Sequence, residues 1–478
     1  MTPSRGVLAL LLVLVASSLL VVSERRSWRP SLTHALLVAA ALRLAMFLVA
    51  KDTAPYDLLN DFRIAGENVL HHRDPTLNSR PRGWNYLPTY GFVLAGTVAV
   101  EQLTGLPWLW VSRVLPMVAD LGVVALVFTL TGGEKRGLRA FQYACTPIVV
   151  FVSAVHGQME PLCLLFALGA FLALRSRARH RVLVAGALIG LAISVKTWPA
   201  LFLPALLLGL STWRDRLRLL VGAGAVGLAL LLTMPLTVGT PVHALPRIAA
   251  TIVGYSPAGG TWGWSSVVFL FFPYTGESFE TSTLWAVLGR VGSVAALIAI
   301  AAATWWWRRA DPIVLAGVSA SAFQVTTVGH GAQYLAWPVP FTTLTLTRLQ
   351  PFLQAAIGLW AWWGYVGGGS GLLPASWGTW PYRLWPVSSL VLVVLIVMAL
   401  PWKQRRAVGQ GPDLPGRPPR DTGDGSPFRR GTGRSSRRGE TVRDVPMDRR
   451  GPDTRLGPGP GVPHASGSTQ ATGRPRPR

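Results

Sequence analysis

The chain has 478 residues, half of them hydrophobic and only 14% charged, with 20 tryptophans and a formal net charge of +24. Apolar runs recur from residue 7 to residue 402, and runs of about 20 residues match the roughly 30 Å hydrocarbon core of a bilayer. A water-soluble protein would break such runs with a polar face at helical period, so a soluble globular protein is excluded and an all-α, polytopic transmembrane bundle is expected.

In chain order the predicted spans are 7–22, 32–50, 109–131, 139–155, 159–174, 182–196, 198–210, 217–235, 283–303, 311–329, 332–348, 351–366 and 384–402, or about 11–13 crossings once short segments are allowed for. Basic clusters mark the cytoplasmic side of the membrane. They are ERRSWR (24–29), EKRGLR (134–139), RSRARHR (175–181), RDRLR (214–218), WRR (307–309) and KQRR (403–406). With these inside, the large first loop 51–108, the turns HGQME and VKTWP, segment 236–282, the turn GHGAQ and segment 367–383 all fall on the outer face. Segment 88–104 then cannot be a full crossing and is expected to lie in plane or re-enter. VKTWP separates two short apolar halves, which predicts a dip at membrane depth.

Residues 1–402 therefore form a membrane domain and 403–478 a tail. The tail carries 17 Lys or Arg against seven Asp or Glu and is rich in Gly, Pro and Ser. It cannot bury enough surface to offset chain entropy, so a disordered cytoplasmic tail touching anionic lipid is expected. No stacking aromatics interleave its arginines, so nucleic acid is not an expected partner. Cys145 and Cys163 lie in apolar segments and read as small hydrophobes. The chain contains no P-loop, no metal-ligand spacing and no GxSxG elbow; neither metal nor cofactor is expected.

Several polar constellations interrupt the apolar body. In DLLNDFRIAGENVLHHRDP (57–75), Asp57 and Asp61 are spaced i,i+4 and would share one face of a short helix. A carboxylate at a low-dielectric boundary suits general-base work, while Arg63, His71, His72 and Arg73 could neutralise a phosphate; an ordinary solvated loop is the competing reading. In VHGQME (155–160), Glu160 beside Pro161 fits the positive end of a helix dipole, or Gln158 and Glu160 bind sugar hydroxyls. Lys196 in GLAISVKTWPALFLP is a lone cation between apolar halves, either functional or snorkelling. His330, Gln333 and Tyr334 stand at the mouth of an apolar helix, His330 as a proton carrier, a phosphate partner or a satisfied turn residue. Arg113 and Asp120, i,i+7 on one span, are expected to face inward as a structural ion pair. Runs such as TWGWSS and TWWWRR read as interfacial belts.

Four motifs in order carry a family likeness: DFRIAGENVLHHRDP followed by NYLPTY, then VHGQMEPL, GLAISVKTWPALFLP and QYLAWPVP, over about residues 30–345. Together they resemble the polytopic GT-C glycosyltransferases that use polyprenyl-phosphate sugars. The nearest group is glycosyltransferase family 87, which includes actinobacterial mannosyltransferases. That resemblance implies an inverting transfer of a hexose, expected to be mannose, from a polyprenyl-phosphate donor to a lipid-linked or cell-envelope glycan acceptor. It makes Asp61 the base through the Asp-Phe-Arg pattern, although Ala65 replaces the usual tyrosine. It implies Lys196, His330 and Arg63 as partners of the donor phosphate. Gln158, Glu160, Gln333, Tyr334 and Tyr86 are implied as sugar or acceptor contacts. The rival class is a multi-span transporter or lipid flippase, which predicts paired broken helices in two halves; VKTWP has no second copy.

Overall fold

The computed structural model describes residues 2–53, 55–79, 83–254, 262–271, 283–329, 331–345, 347–379 and 382–406. His330 and the tail beyond residue 406 lie outside the described residues. Their expected roles and disorder are therefore carried by sequence alone.

The described residues are helical, with no strand among them. Helix α1 (Pro3–Arg25) begins on a proline, and α2 (Leu32–Ala50) is capped by Ser31, whose side chain accepts from His34 N–H. Then come α3 (Arg63–Leu70), α4 (Pro88–Thr104), α5 (Trp108–Leu130), α6 (Arg136–Ala144) and α7 (Pro147–Val150). They are followed by α8 (Glu160–Arg175), α9 (Arg181–Val195), α10 (Leu203–Leu208), α11 (Trp213–Thr237) and α12 (Leu245–Val253). The chain closes with α13 (Gly263–Phe271), α14 (Thr283–Trp306), α15 (Pro312–Thr326), α16 (Val339–Leu344), α17 (Gln350–Trp362) and α18 (Leu384–Ala399).

Six of these regions are long and apolar enough to cross a membrane, seven if the bent pair Gly133–Ala144 and Pro147–His156 counts as one span. That pair meets at 56°, because Pro147 cannot continue the ladder of α6. The other apolar segments counted in the sequence are helices too, but shorter or interrupted. Segment 88–104 is a continuous 17-residue helix packed on α3 and α5.

Asp120 pairs with a different arginine from the one its spacing suggested. Arg43 Nη2 lies 2.6 Å from Asp120 Oδ2, and Tyr143 Oη donates to Asp120 Oδ1 at 2.6 Å. Arg113 instead donates to the carbonyls of Lys51, at 2.9 Å, and Thr53, closing the end of α2. Seven residues of helix separate two side chains by about 10.5 Å along the axis, too far for a direct ion pair, whereas cations suit a helix C-terminus.

Helix α9, which ends at the polar cluster described below, is fixed by close backbone approach to α11. A Cβ added at Gly186 would lie 2.5 Å from the Leu219 carbonyl oxygen, and one at Gly190 would lie 2.6 Å from that of Ala223. Small residues every fourth position permit this contact between membrane helices. Gly190→Val is expected to cost about 1–3 kcal/mol of overpacking, read as a lower melting temperature of the detergent-purified protein; an unchanged melt would show that the helices part freely.

Three turns are wound wider than an α-helix, with π-type hydrogen bonding: Leu58–Phe62, Phe151–His156 and Trp363–Gly367. Such turns recur at functional sites. All three reach the same place.

Candidate active site

Asp57 immediately precedes the first wide turn, and His156 is the last residue of the second. The chain leaves His156 through Gly157, whose φ of +68° is readily adopted only by glycine. This reversal brings Gln158 alongside His156. Asp57 Oδ1 lies 2.7 Å from His156 Nε2, and Gln158 Nε2 donates to Asp57 Oδ2. On its other side His156 Nδ1 lies 2.8 Å from the hydroxyl of Tyr365, in the third wide turn.

Beside this group is a buried ion pair. Helix α9 stops at Val195, Lys196 is extended (φ −156°, ψ 141°), and Trp198-Pro199 starts a 3-10 turn. Glu160 opens α8, next to Pro161. Lys196 Nζ donates to Glu160 Oε1 at 2.5 Å, with Glu160 wholly buried and Lys196 nearly so. The rings of Tyr86 and Tyr334 flank the ammonium at 5.8 and 5.1 Å. Tyr86 is steadied by Trp84, whose indole N–H donates to its carbonyl, and Tyr334 by Gln324, which donates to its carbonyl at 2.7 Å. Tyr334 packs on Trp337, which stacks on Trp198 at 4.2 Å.

Four buried polar atoms here have no hydrogen-bond partner among the described residues: the acceptors Gln158 Oε1 and Glu160 Oε2, and the donors Trp198 Nε1 and Trp337 Nε1. Each such group costs about 1–3 kcal/mol. Burial opposes the charge of Asp57, but the pull of the His156 ring, its hydrogen bond and the nearby Lys196 together outweigh it. The Asp57 carboxyl is thus held below its ordinary range and is ionised at neutral pH. Among the described residues no group of three or more His, Cys, Asp or Glu side chains is placed to hold a metal ion.

Of the residues singled out in the sequence, Gln158, Glu160, Lys196, Tyr86 and Tyr334 come together. Gln333 shares the short turn Ala332–Ala336 with Tyr334 and is half-buried. Asp61 is buried inside the first wide turn, but the acid that reaches His156 and Gln158 is Asp57. Arg63 is taken up by Glu67 at 3.0 Å and Glu101 at 3.2 Å. The sequence pairs Asp57 with Asp61 and the family pattern favours Asp61 as base, while neither His156 nor Tyr365 is singled out there. His156 stood inside a quoted motif, whereas Tyr365 was hidden in an aromatic run.

The fold and this cluster define a polytopic helical membrane protein with a self-contained charged site among helix ends. The model of glycosyltransferase family 87 matches residues 84–328, just over half of the chain, and the chain belongs to that family; it is a membrane glycosyltransferase. Tyr86, His156, Gln158, Glu160 and Lys196 fall within the matched stretch, while Asp57, Asp61, Tyr334 and Tyr365 fall outside it. No curated protein and no solved structure matches the chain.

Proposed function

We propose that the protein transfers a hexose, mannose in the first instance, from a polyprenyl-phosphate donor to a lipid-linked or cell-envelope glycan acceptor. The transfer proceeds with inversion, on the outer face of a bacterial plasma membrane. The four unpartnered atoms flanking the Lys196–Glu160 pair carry this reading. Two want donors and two want acceptors, which sugar hydroxyls and phosphate oxygens supply together. Residues 1–402 are the catalytic membrane domain, and 403–478 its cytoplasmic tail.

A carboxylate takes the proton of the acceptor hydroxyl as that oxygen attacks the anomeric carbon. The bond from that carbon to the phosphate oxygen breaks on the opposite side. Asp57 is the acid that geometry favours as base, being ionised and joined to the motif that carries Gln158 and Glu160. Asp61 is the second reading, favoured by the Asp-Phe-Arg pattern and its burial four residues on. Lys196 meets the charge of the leaving lipid phosphate, where a fixed cation in a dry site is worth most, and His330 is a second candidate for it. Arg63, tied to two carboxylates, is the weakest of the proposed phosphate partners. Gln158 and Glu160 accept from sugar hydroxyls, and Tyr86, Tyr334 and Gln333 line the approach.

Membranes containing the protein, supplied with labelled polyprenyl-phosphate mannose, are expected to yield a labelled glycolipid that membranes lacking it do not make. Uptake of a soluble solute by the purified protein in liposomes, with no such product, would instead establish a transporter. Lipid profiling of a deletion strain identifies the acceptor.

A further inference from the structure

We infer that Tyr365 and His156 are positioning residues for the reaction, acting through Asp57; the inference rests on the reading of Asp57 as the base. An ionised carboxylate only accepts hydrogen bonds, so the 2.7 Å contact of Asp57 Oδ1 with His156 Nε2 requires the proton on Nε2. In a neutral imidazole Nδ1 is then an acceptor, and it accepts a hydrogen bond from the Tyr365 hydroxyl across 2.8 Å. The carboxylate thus fixes the tautomer, and the Tyr365 hydroxyl, by donating to Nδ1, holds the ring in the orientation that keeps Nε2–H on Asp57. Gln158 Nε2 donates to the second oxygen, so its 2.9 Å approach to His156 Nε2 brings together two donors aimed at one carboxylate.

The relay is rigid on every side. Tyr365 stacks on the wholly buried Phe151 with centroids 5.8 Å apart and planes 18° apart. His156 sits edge-on to the Tyr365 ring at 5.3 Å. The ionisable groups around the imidazole are Asp57 and Tyr365, with Glu160 and Lys196 beyond Gln158. Each of the three members comes from, or directly precedes, a different wide turn. Tyr365 lies 37 residues beyond the end of the family match at residue 328, so the C-terminal part of the chain completes the site.

Removing the Tyr365 hydroxyl leaves Nδ1 without its partner and the ring without its second anchor. A ring that turns weakens the Nε2–H contact and lets the Asp57 carboxylate shift from the acceptor hydroxyl. Tyr365→Phe keeps the stack on Phe151, so the fold is preserved. Its maximal transfer rate from labelled polyprenyl-phosphate mannose, in membranes of full-length protein, is expected to fall about tenfold with the donor KM unchanged. His156→Gln, which still offers an N–H to Asp57, is expected to retain part of the activity that His156→Phe loses. Glutamine at this position offers the Tyr365 hydroxyl no Nδ1 to hold, so adding Tyr365→Phe to His156→Gln should cost little more, a non-additivity that a merely structural role would not produce.

If Asp57→Asn is inactive while Tyr365→Phe runs at the wild-type rate, the inference falls and the base assignment stands. Additive effects in the double variant would also overturn it. If Asp57→Asn remains active, the base assignment fails, and this inference with it.

Discussion

Asp57→Asn is expected to lower sugar transfer by about 10²–10⁴-fold, the usual contribution of a general base, while protein abundance in the membrane stays at the wild-type level. The asparagine is isosteric, and Gln158 can turn its amide to present an oxygen to the new N–H group, so the packing survives the change. Asp61→Asn, four residues on, is expected to keep most of its activity. The comparison is decisive because the two acids lie four residues apart, one just before and one within the same wide turn. The reverse result, with Asp61→Asn silent and Asp57→Asn active, would return the base to the residue favoured by the motif. It would make Asp57 a strut for His156.

Lys196 and Glu160 give the second large effect, and there stability and catalysis separate. Breaking a buried ion pair by removing one partner costs about 3–5 kcal/mol, since the other charge stays in a dry site. Lys196→Met and Glu160→Gln are each expected to lower the amount of folded protein recovered from membranes. The double variant removes both charges and should restore the yield. It should nevertheless stay inactive, because the fixed cation proposed to meet the leaving phosphate in the buried site is gone. Activity in the double variant at wild-type levels would remove Lys196 from the chemistry and leave the pair a packing device.

The sequence made some features readable for definite physical reasons. Apolar runs of membrane length fix helices whatever their neighbours, and Trp198-Pro199 after Lys196 breaks α9 because proline supplies no N–H to the ladder. The meeting of VHGQME with Lys196 was visible as a set of polar turns on one side of the alternating basic clusters. Asp57 was less visible, because i,i+4 spacing assumes an α-helix. The turn Leu58–Phe62 is wound one residue wider, and it is Asp57, just before that turn, that meets His156. Partners drawn from distant segments were not readable at all. Tyr365 is 209 residues from His156, and Arg43 reaches Asp120 from 77 residues away. The inward-facing Arg113 had a nearby acid on its own helix, yet the bundle gave it carbonyls.

The burial of the Lys196–Glu160 pair has a consequence for how the chain enters the bilayer. Helix α9 has 15 residues and α8 has 16, so each rises only about 22–24 Å against a hydrocarbon core of roughly 30 Å. Inserted singly, α9 would strand an ammonium in lipid and α8 a carboxylate, at about 2.5–3.5 kcal/mol for a charge near the centre. Paired through the short connection 176–180, they close Lys196 on Glu160, and that buried pair carries no net charge. The two helices should therefore leave the translocon as one hairpin, with the charge pair closed during synthesis, before the later helices that complete the site have emerged from the ribosome.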